Sequence, residues 1–132
     1  MPDNMPKLQI RPSFVKLTVP DAEKAEKFYC EVFGLVRDLY NPMPGFLEIV
    51  LNSPENGFGI VLMCYEEDRP FEFGNCWGPV GFDTNDFDAL LERALAAGAT
   101  ITVPPGEFGE FRYVFLKSPD GHELEIVQRG EG

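Results

Sequence analysis

The chain has 132 residues, of which 44% are hydrophobic, and its 22 acidic and 11 basic side chains give a formal net charge of −11. This charge disfavours nucleic-acid binding, because phosphate recognition requires clustered lysine and arginine side chains. The length allows one domain, or two small halves that do not fold alone, so we expect a single domain over 1–132.

The first half of the chain predicts a β-α-β-β-β module at about 13–66. A strand-like run at 14–19 precedes Asp21, which can cap a helix, and Gly34 can end that helix. Three further strands follow, and the last two are joined by a turn at 53–57. This order predicts one helix packed on one small sheet.

The second half of the chain repeats this order at about 79–129, after a linker at 67–78 that interleaves acidic and aromatic residues. A helix is predicted between its cap, Asn85, and Gly98, the same cap-to-glycine distance of 13 residues as in the first module. The predicted apolar face of this helix consists of Phe87, Leu90, Leu91, Ala94 and Leu95.

Proline-rich segments at 41–45 and 104–106 occupy matching positions in the two modules. Both are predicted to be loops, because proline interrupts strand pairing. Together with the repeated helices and turns, this order predicts an α+β fold class. Two tandem βαβββ modules would form a curved mixed sheet that encloses a cleft.

The three cysteines, Cys30, Cys64 and Cys76, show no CxxC spacing. Their odd number argues for a reducing compartment and against a disulfide framework. Residues 1–12 contain no long apolar run, so we expect a loose N-terminal arm without a signal peptide or membrane span. These features predict a cytoplasmic protein with no membrane partner.

The repeated helix and turn sequences resemble those of the vicinal oxygen chelate superfamily, which includes glyoxalase I, bleomycin-resistance proteins and extradiol dioxygenases. The resemblance covers 13–129. It rests on three motifs in chain order: Val19-Pro20-Asp21; Phe28-Tyr29 with Phe33-Gly34-Leu35; and Ser118-Pro119-Asp120-Gly121-His122 leading into Leu124-Glu125-Ile126. It implies two curved sheets that cup a cleft, usually completed by a homodimer partner.

The resemblance also implies where metal-dependent members hold their ion. The four ligand positions fall on Phe14, Val61, Pro79 and Glu125. Only Glu125 can donate a lone pair to a metal, and one carboxylate does not hold a divalent cation. We therefore expect no metal and no other cofactor. An alternative metal site stays open, built from Glu48, Asp83, Glu123 and Glu125.

Strand alternation assigns the side chains of the predicted cleft. The residues predicted to bind a ligand are Phe14, Lys16, Thr18, Val61, Met63, Trp77, Pro79, Phe111 and Glu125. Apolar walls with few polar groups are typical of a small-molecule pocket. Lys16 is predicted to lie opposite Glu125, as a structural ion pair or an acid/base pair. His122, the only histidine, is interpreted as a turn or surface residue.

Three functions fit these observations. The first is a metal-independent protein that binds a hydrophobic or aromatic molecule, such as an antibiotic, as the bleomycin-resistance branch does. The second is a cofactor-independent isomerase or lyase with Glu125 and Lys16 as its catalytic groups. The third is a metal-dependent lyase or dioxygenase with atypical ligands. The first is our primary prediction, and the other two stay open.

Overall fold

A computed structural model of the protein describes residues 8–130. The first module contains β1 (Phe14–Thr18), α1 (Ala22–Phe33), β2 (Val36–Met43), β3 (Phe46–Asn52) and β4 (Gly59–Tyr65). The second contains β5 (Val80–Asp83), α2 (Phe87–Ala96), β6 (Thr100–Phe108), β7 (Phe111–Lys117) and β8 (Glu123–Arg129). The α+β class and the tandem βαβββ order are confirmed. Part of the predicted N-terminal arm, 1–7, lies outside the described residues.

Each module forms its own four-stranded sheet, with the orders β1-β4-β3-β2 and β5-β8-β7-β6. In both sheets the first strand of the module pairs in parallel with the last, and the remaining pairs are antiparallel. The register sets Lys16 beside Val61 in the first sheet and Gly81 beside Glu125 in the second. The internal repeat of the sequence is therefore a repeat of topology.

The two helices begin at aspartate caps. Asp21 accepts a hydrogen bond from the Lys24 N–H at 3.1 Å, and Gly34 ends α1 with a φ of +70°. In α2 the cap is Asp86, whose carboxylate accepts from the Ala89 N–H at 3.2 Å. The prediction of Asn85 as the cap is wrong by one residue.

The loop predicted at 104–106 is wrong, and the loop predicted at 41–45 is right only for the turn at 44–45. Strand β2 continues through Pro42 to Met43, and β6 continues through Pro104 and Pro105 to Phe108. Both strands are outer edges of their sheets. An edge strand pairs on one side only, so it tolerates a proline, which has no N–H to donate. In β6 the register shifts on either side of Val103, so bulges absorb the irregularity.

The core lies between the helices and the sheet faces that they cover. Leu17, Leu124 and Ile126 are buried there, as strand alternation predicts. Helix α1 buries Ala22, Ala25, Phe28, Tyr29 and Val32. Helix α2 buries only Phe87 and Ala94, and Leu95 of its predicted apolar face is 40% exposed.

The two modules are held together by their helices and by one aromatic stack. The Phe33 and Phe82 rings lie almost parallel, with centroids 3.6 Å apart. The Arg93 guanidinium donates to the Val32 carbonyl at 3.2 Å. Within residues 8–130, neither helix is long and apolar enough to cross a membrane.

Candidate ligand-binding site

A cavity of about 360 Å³ lies where the linker passes the edge strand β1. We call it the seam pocket, because both modules and the linker contribute to it. Its lining consists of residues 15–18, 71–73, 77–78, 80 and 122–123. The linker itself, 67–78, contains no helix or strand.

The aromatic side chains of the linker form one wall of the seam pocket. The rings of Phe73 and Trp77 lie 5.9 Å apart, and the Trp77 indole N–H donates to the Phe73 carbonyl. Phe71 lines the same cavity and is 41% exposed. These contacts fold the linker back on itself, so its aromatic side chains are presented to β1 and to the second module.

His122 is a buried residue of this pocket, with only 8% of its surface exposed. Its Nε2 lies 2.9 Å from the Thr18 carbonyl oxygen, and its ring stands nearly perpendicular to the Phe73 ring at a centroid distance of 5.1 Å. His122 does follow a turn, but the interpretation of it as a surface residue is wrong, because its side chain is buried. The sequence repeat could have indicated this burial. The residue that matches His122 in the first module, directly after the turn glycine, is the apolar Phe58.

The turn before His122 fixes the position of its ring. Ser118 donates its backbone N–H to the His122 carbonyl at 2.8 Å, and the Ser118 hydroxyl accepts from the His122 N–H at 3.1 Å. Gly121 adopts a φ of +96°, and a Cβ at this position would lie 3.2 Å from the Phe73 ring. The tight turn and the linker therefore hold the imidazole from two sides.

Two ionisable groups near this turn are perturbed by burial. Burial raises the pKa of the Tyr29 hydroxyl, which makes no hydrogen bond with adequate geometry to any described residue, although Ser118 lies beside it. Burial also raises the pKa of the Asp120 carboxyl, an effect that the nearby His122 opposes. The turn is therefore packed against α1 as well as against the linker.

Lys16 lies in the seam pocket but does not pair with Glu125. Its ammonium group lies 3.2 Å from the Glu48 carboxylate on the same sheet, and its side chain is 51% exposed. No ion pair between Lys16 and Glu125 occurs in the part of the chain described. The predicted pairing is wrong, because Lys16 lies on the first sheet and Glu125 on the second, and the two residues line different concavities.

Glu125 and Phe111 lie instead on a second concavity of about 530 Å³, which we call the aromatic surface. It is formed by one face of the second sheet and is lined by Val103, Phe108, Phe111, Tyr113, Phe115, Glu125 and Val127. Lys16, Thr18 and Trp77 line the seam pocket. The remaining predicted ligand residues line neither concavity: Phe14, Val61, Met63 and Pro79.

The side chains of the described residues do not fit a metal centre. Phe14, Val61 and Pro79 carry no lone-pair donor at the positions that the resemblance implies. Between residues 8 and 130, no group of three or more His, Cys, Asp or Glu side chains is arranged to hold a metal ion. The alternative site is not assembled either, because Glu48, Asp83, Glu123 and Glu125 do not form such a group. Glu48 pairs instead with Lys16.

Comparison with known proteins identifies relatives of this fold and sequence. Residues 11–126 match the Glyoxalase/Bleomycin resistance protein/Dioxygenase superfamily. A probable lactoylglutathione lyase of Vibrio cholerae is 30% identical over 118 residues, covering 85% of this chain and 86% of that protein.

Two solved structures share the architecture. Glyoxalase I from Zea mays aligns with a TM-score of 0.80 and 26% identity, covering 92% of this chain and 45% of that one. TnmS3, an antibiotic binding protein from Streptomyces sp. CB03234, aligns with a TM-score of 0.74 and 20% identity, covering 94% of this chain and 99% of that one. This chain spans less than half the length of the plant relatives that it matches.

Proposed function

The chain belongs to the glyoxalase/bleomycin resistance protein/dioxygenase superfamily, and we propose that it is a metal-independent protein that binds a hydrophobic or aromatic small molecule. The observation that carries this proposal is the seam pocket, which Phe71, Phe73 and Trp77 wall with aromatic surface. Aromatic rings bind flat apolar ligands through burial and stacking. The lack of metal-ligating side chains at Phe14, Val61 and Pro79 supports a function that needs no metal.

We propose an aromatic antibiotic as one member of this ligand class. TnmS3 has the same fold and is described as an antibiotic binding protein, so the fold can serve this purpose without a second domain. The net charge of −11 would attract a cationic antibiotic more strongly than an anionic one.

Intrinsic fluorescence tests the proposal, because Trp77 is the only tryptophan. Titration with aromatic antibiotics and with simple naphthalenes should change Trp77 emission in a saturable way. Phe71→Ala and Phe111→Ala form a matched pair, since both side chains are 41% exposed and only Phe71 lines the seam pocket. We expect Phe71→Ala to weaken binding about tenfold, the effect of losing about 1.4 kcal/mol of contact energy.

Two results would contradict this assignment. Weakening by Phe111→Ala but not by Phe71→Ala would move the ligand to the aromatic surface. Unchanged Trp77 emission throughout the aromatic series would remove the main support for a binding function.

We also propose that a homodimer covers the aromatic surface. Phe108 is 78% exposed there, and Val103 and Phe111 are each more than 40% exposed. A continuous apolar surface of this kind is typical of an interface. Sedimentation velocity measures the oligomeric state directly, and a species with the mass of one chain at micromolar concentration would contradict the dimer.

We propose a cytoplasmic location on the basis of the cysteines. Cys30, Cys64 and Cys76 are all free in the described structure, as expected in a reducing compartment. Fractionation of the source cells, followed by immunodetection, tests this location. Recovery of the protein outside the cytoplasmic fraction would contradict it.

A metal-dependent lyase is the second candidate, because the similarity to a probable lactoylglutathione lyase covers most of both chains. The side chains at the implied ligand positions oppose it. Elemental analysis of protein purified without chelators decides between the two, followed by assays after addition of Ni²⁺, Zn²⁺, Mn²⁺ or Fe²⁺. Stoichiometric metal with metal-dependent turnover would establish the lyase and refute our proposal.

The cofactor-independent isomerase or lyase has less support than either. It requires Glu125 and Lys16 to act on one substrate, and the structure places them in different concavities. Measuring turnover of candidate carbonyl substrates by the Glu125→Gln variant tests this function. Loss of turnover with retained binding would restore it.

A further inference from the structure

We propose that His122 is the hydrogen-bond acceptor of the seam pocket and that it selects aromatic ligands that carry a hydroxyl group. This inference rests on the proposed function, because it concerns the chemical class of the same ligand. His122 is not one of the four positions at which metal-dependent members of the superfamily hold their ion.

The hydrogen bond to Thr18 determines which nitrogen of His122 carries the proton. A backbone carbonyl oxygen can only accept, so at 2.9 Å the Nε2 atom must be the donor. In the neutral imidazole, Nδ1 then has no proton and presents a lone pair. The fold therefore sets the tautomer before any ligand arrives.

Among residues 8–130, Nδ1 is the nitrogen of the imidazole that has no hydrogen-bond partner. It makes no hydrogen bond to any described residue, because the bonds of the imidazole side chain are limited to the one from Nε2. Among residues 8–130, the Tyr29 hydroxyl is the one side-chain nitrogen or oxygen that is both fully buried and unpaired. Nδ1 is thus unpaired without being fully buried, and the His122 residue lines the seam pocket.

The other polar groups of the pocket favour a ligand that donates a hydrogen bond. Glu72 and Glu123 line the cavity and add two carboxylates, which only accept. The one cation of the lining, Lys16, is engaged with Glu48. An aromatic carboxylate would face repulsion here, whereas a neutral phenol can donate its O–H to Nδ1 while its ring packs against Phe73 and Trp77.

Calorimetric titration with three naphthalenes tests the proposal: 2-naphthol, its methyl ether 2-methoxynaphthalene, and 2-naphthoic acid. They share one ring system and differ in whether the substituent donates, only accepts, or is charged. We expect wild-type protein at pH 7 to bind the naphthol about tenfold more tightly than the ether, the effect of one net hydrogen bond. The acid should bind more weakly than the naphthol.

Two substitutions separate the two nitrogens of His122. In His122→Gln the side-chain amide can still donate to the Thr18 carbonyl from the Nε2 position, but the acceptor at the Nδ1 position is lost. In His122→Asn the amide oxygen lies near the Nδ1 position and can still accept. The naphthol preference should therefore disappear in His122→Gln and persist in His122→Asn.

Nitrogen-15 NMR of the single histidine provides a test without any substitution. The free protein should show the tautomer protonated at Nε2, and naphthol should shift the Nδ1 resonance while the ether leaves it unchanged. This measurement decides the question even where a variant fails to fold.

The outcomes distinguish this proposal from the binding function. An equal affinity of wild-type protein for naphthol and ether, a preference that survives in His122→Gln, or an unmoved Nδ1 resonance would overturn the role of His122 alone. Failure of all three naphthalenes to bind would count against the seam pocket as an aromatic site.

Discussion

The turn at 53–57 and the turn at 118–122 occupy matching places in the two modules, but the first is one residue longer and the surroundings differ. Both close on a glycine with positive φ, +75° at Gly57 and +96° at Gly121, and both pair the turn serine N–H with a carbonyl just beyond the glycine. Space around Gly57 is open, whereas Phe73 packs against Gly121. The repeat thus preserves the serine that opens the turn and the glycine that closes it, and the linker packs against the second copy.

The helices of the two modules also differ, in how many side chains each of them buries. Helix α1 buries five side chains, including Phe28 and Tyr29, while α2 buries two. Counting from the two aspartate caps, the position of Tyr29 in α1 is that of Ala94 in α2. The first helix is therefore the larger contributor to the core, and the second leaves apolar surface at Leu95.

The largest effect that we predict concerns this difference between the helices. Phe28→Ala should lower the free energy of unfolding by about 3–5 kcal/mol, because it removes a buried ring and leaves a cavity. Leu95→Ala, on the more exposed helix, should change it by less than about 1 kcal/mol. Urea titration monitored by circular dichroism measures both. Similar losses in the two variants would show that α2 is as deeply anchored as α1.

The second prediction compares the two turn glycines. Gly57→Ala and Gly121→Ala should each cost about 1–2 kcal/mol, because a side chain at positive φ meets the backbone. Gly121→Ala should also change Trp77 emission, since its new methyl group displaces Phe73. Gly57→Ala is the matched control for the backbone cost. Identical emission spectra of the two variants would mean that the linker does not pack on the second turn.

The smallest effect concerns the carboxylates at the third position of each turn. Burial raises the pKa of Asp120 in the folded protein, so its protonated form favours folding. That contribution is complete below the ordinary carboxyl pKa of about 4 and is lost as pH rises through the raised value. Asp120→Asn should therefore gain stability over wild type as pH rises from about 4 to 7.

Thermal unfolding at several pH values measures this gain, with Glu55→Gln as the control because Glu55 is exposed in the first turn. A gain that is the same at every pH, or one that is larger in Glu55→Gln, would contradict the role of burial at Asp120.

The sequence was sufficient to predict the elements in which local signals and the fold agree. Asp21 and Gly34 bound α1 as their cap chemistry predicts, and alternation in β8 correctly buries Leu124 and Ile126. These predictions succeed because one covered face enforces a period of two in a strand and because cap residues act on their own helix. Because the sequence repeats, the same cap and glycine spacing predicted a helix in each module.

The site was harder to predict, because it depends on how separate segments pack. The linker has no periodic pattern, so nothing local indicates that Phe73 and Trp77 fold onto His122. Strand alternation assigned Lys16 and Glu125 to cleft-facing positions, but it does not say which sheets face each other. That relation is tertiary, and in this fold Lys16 and Glu125 line different concavities.

The prolines of the outer strands have a consequence for how copies of this chain can assemble. β2 and β6 form the free edges of the two sheets, and Pro42, Pro104 and Pro105 remove hydrogen-bond donors from them. The opposite edges, β1 and β5, border the seam pocket. These prolines therefore make β2 and β6 poor templates for strand addition by a second copy of the chain.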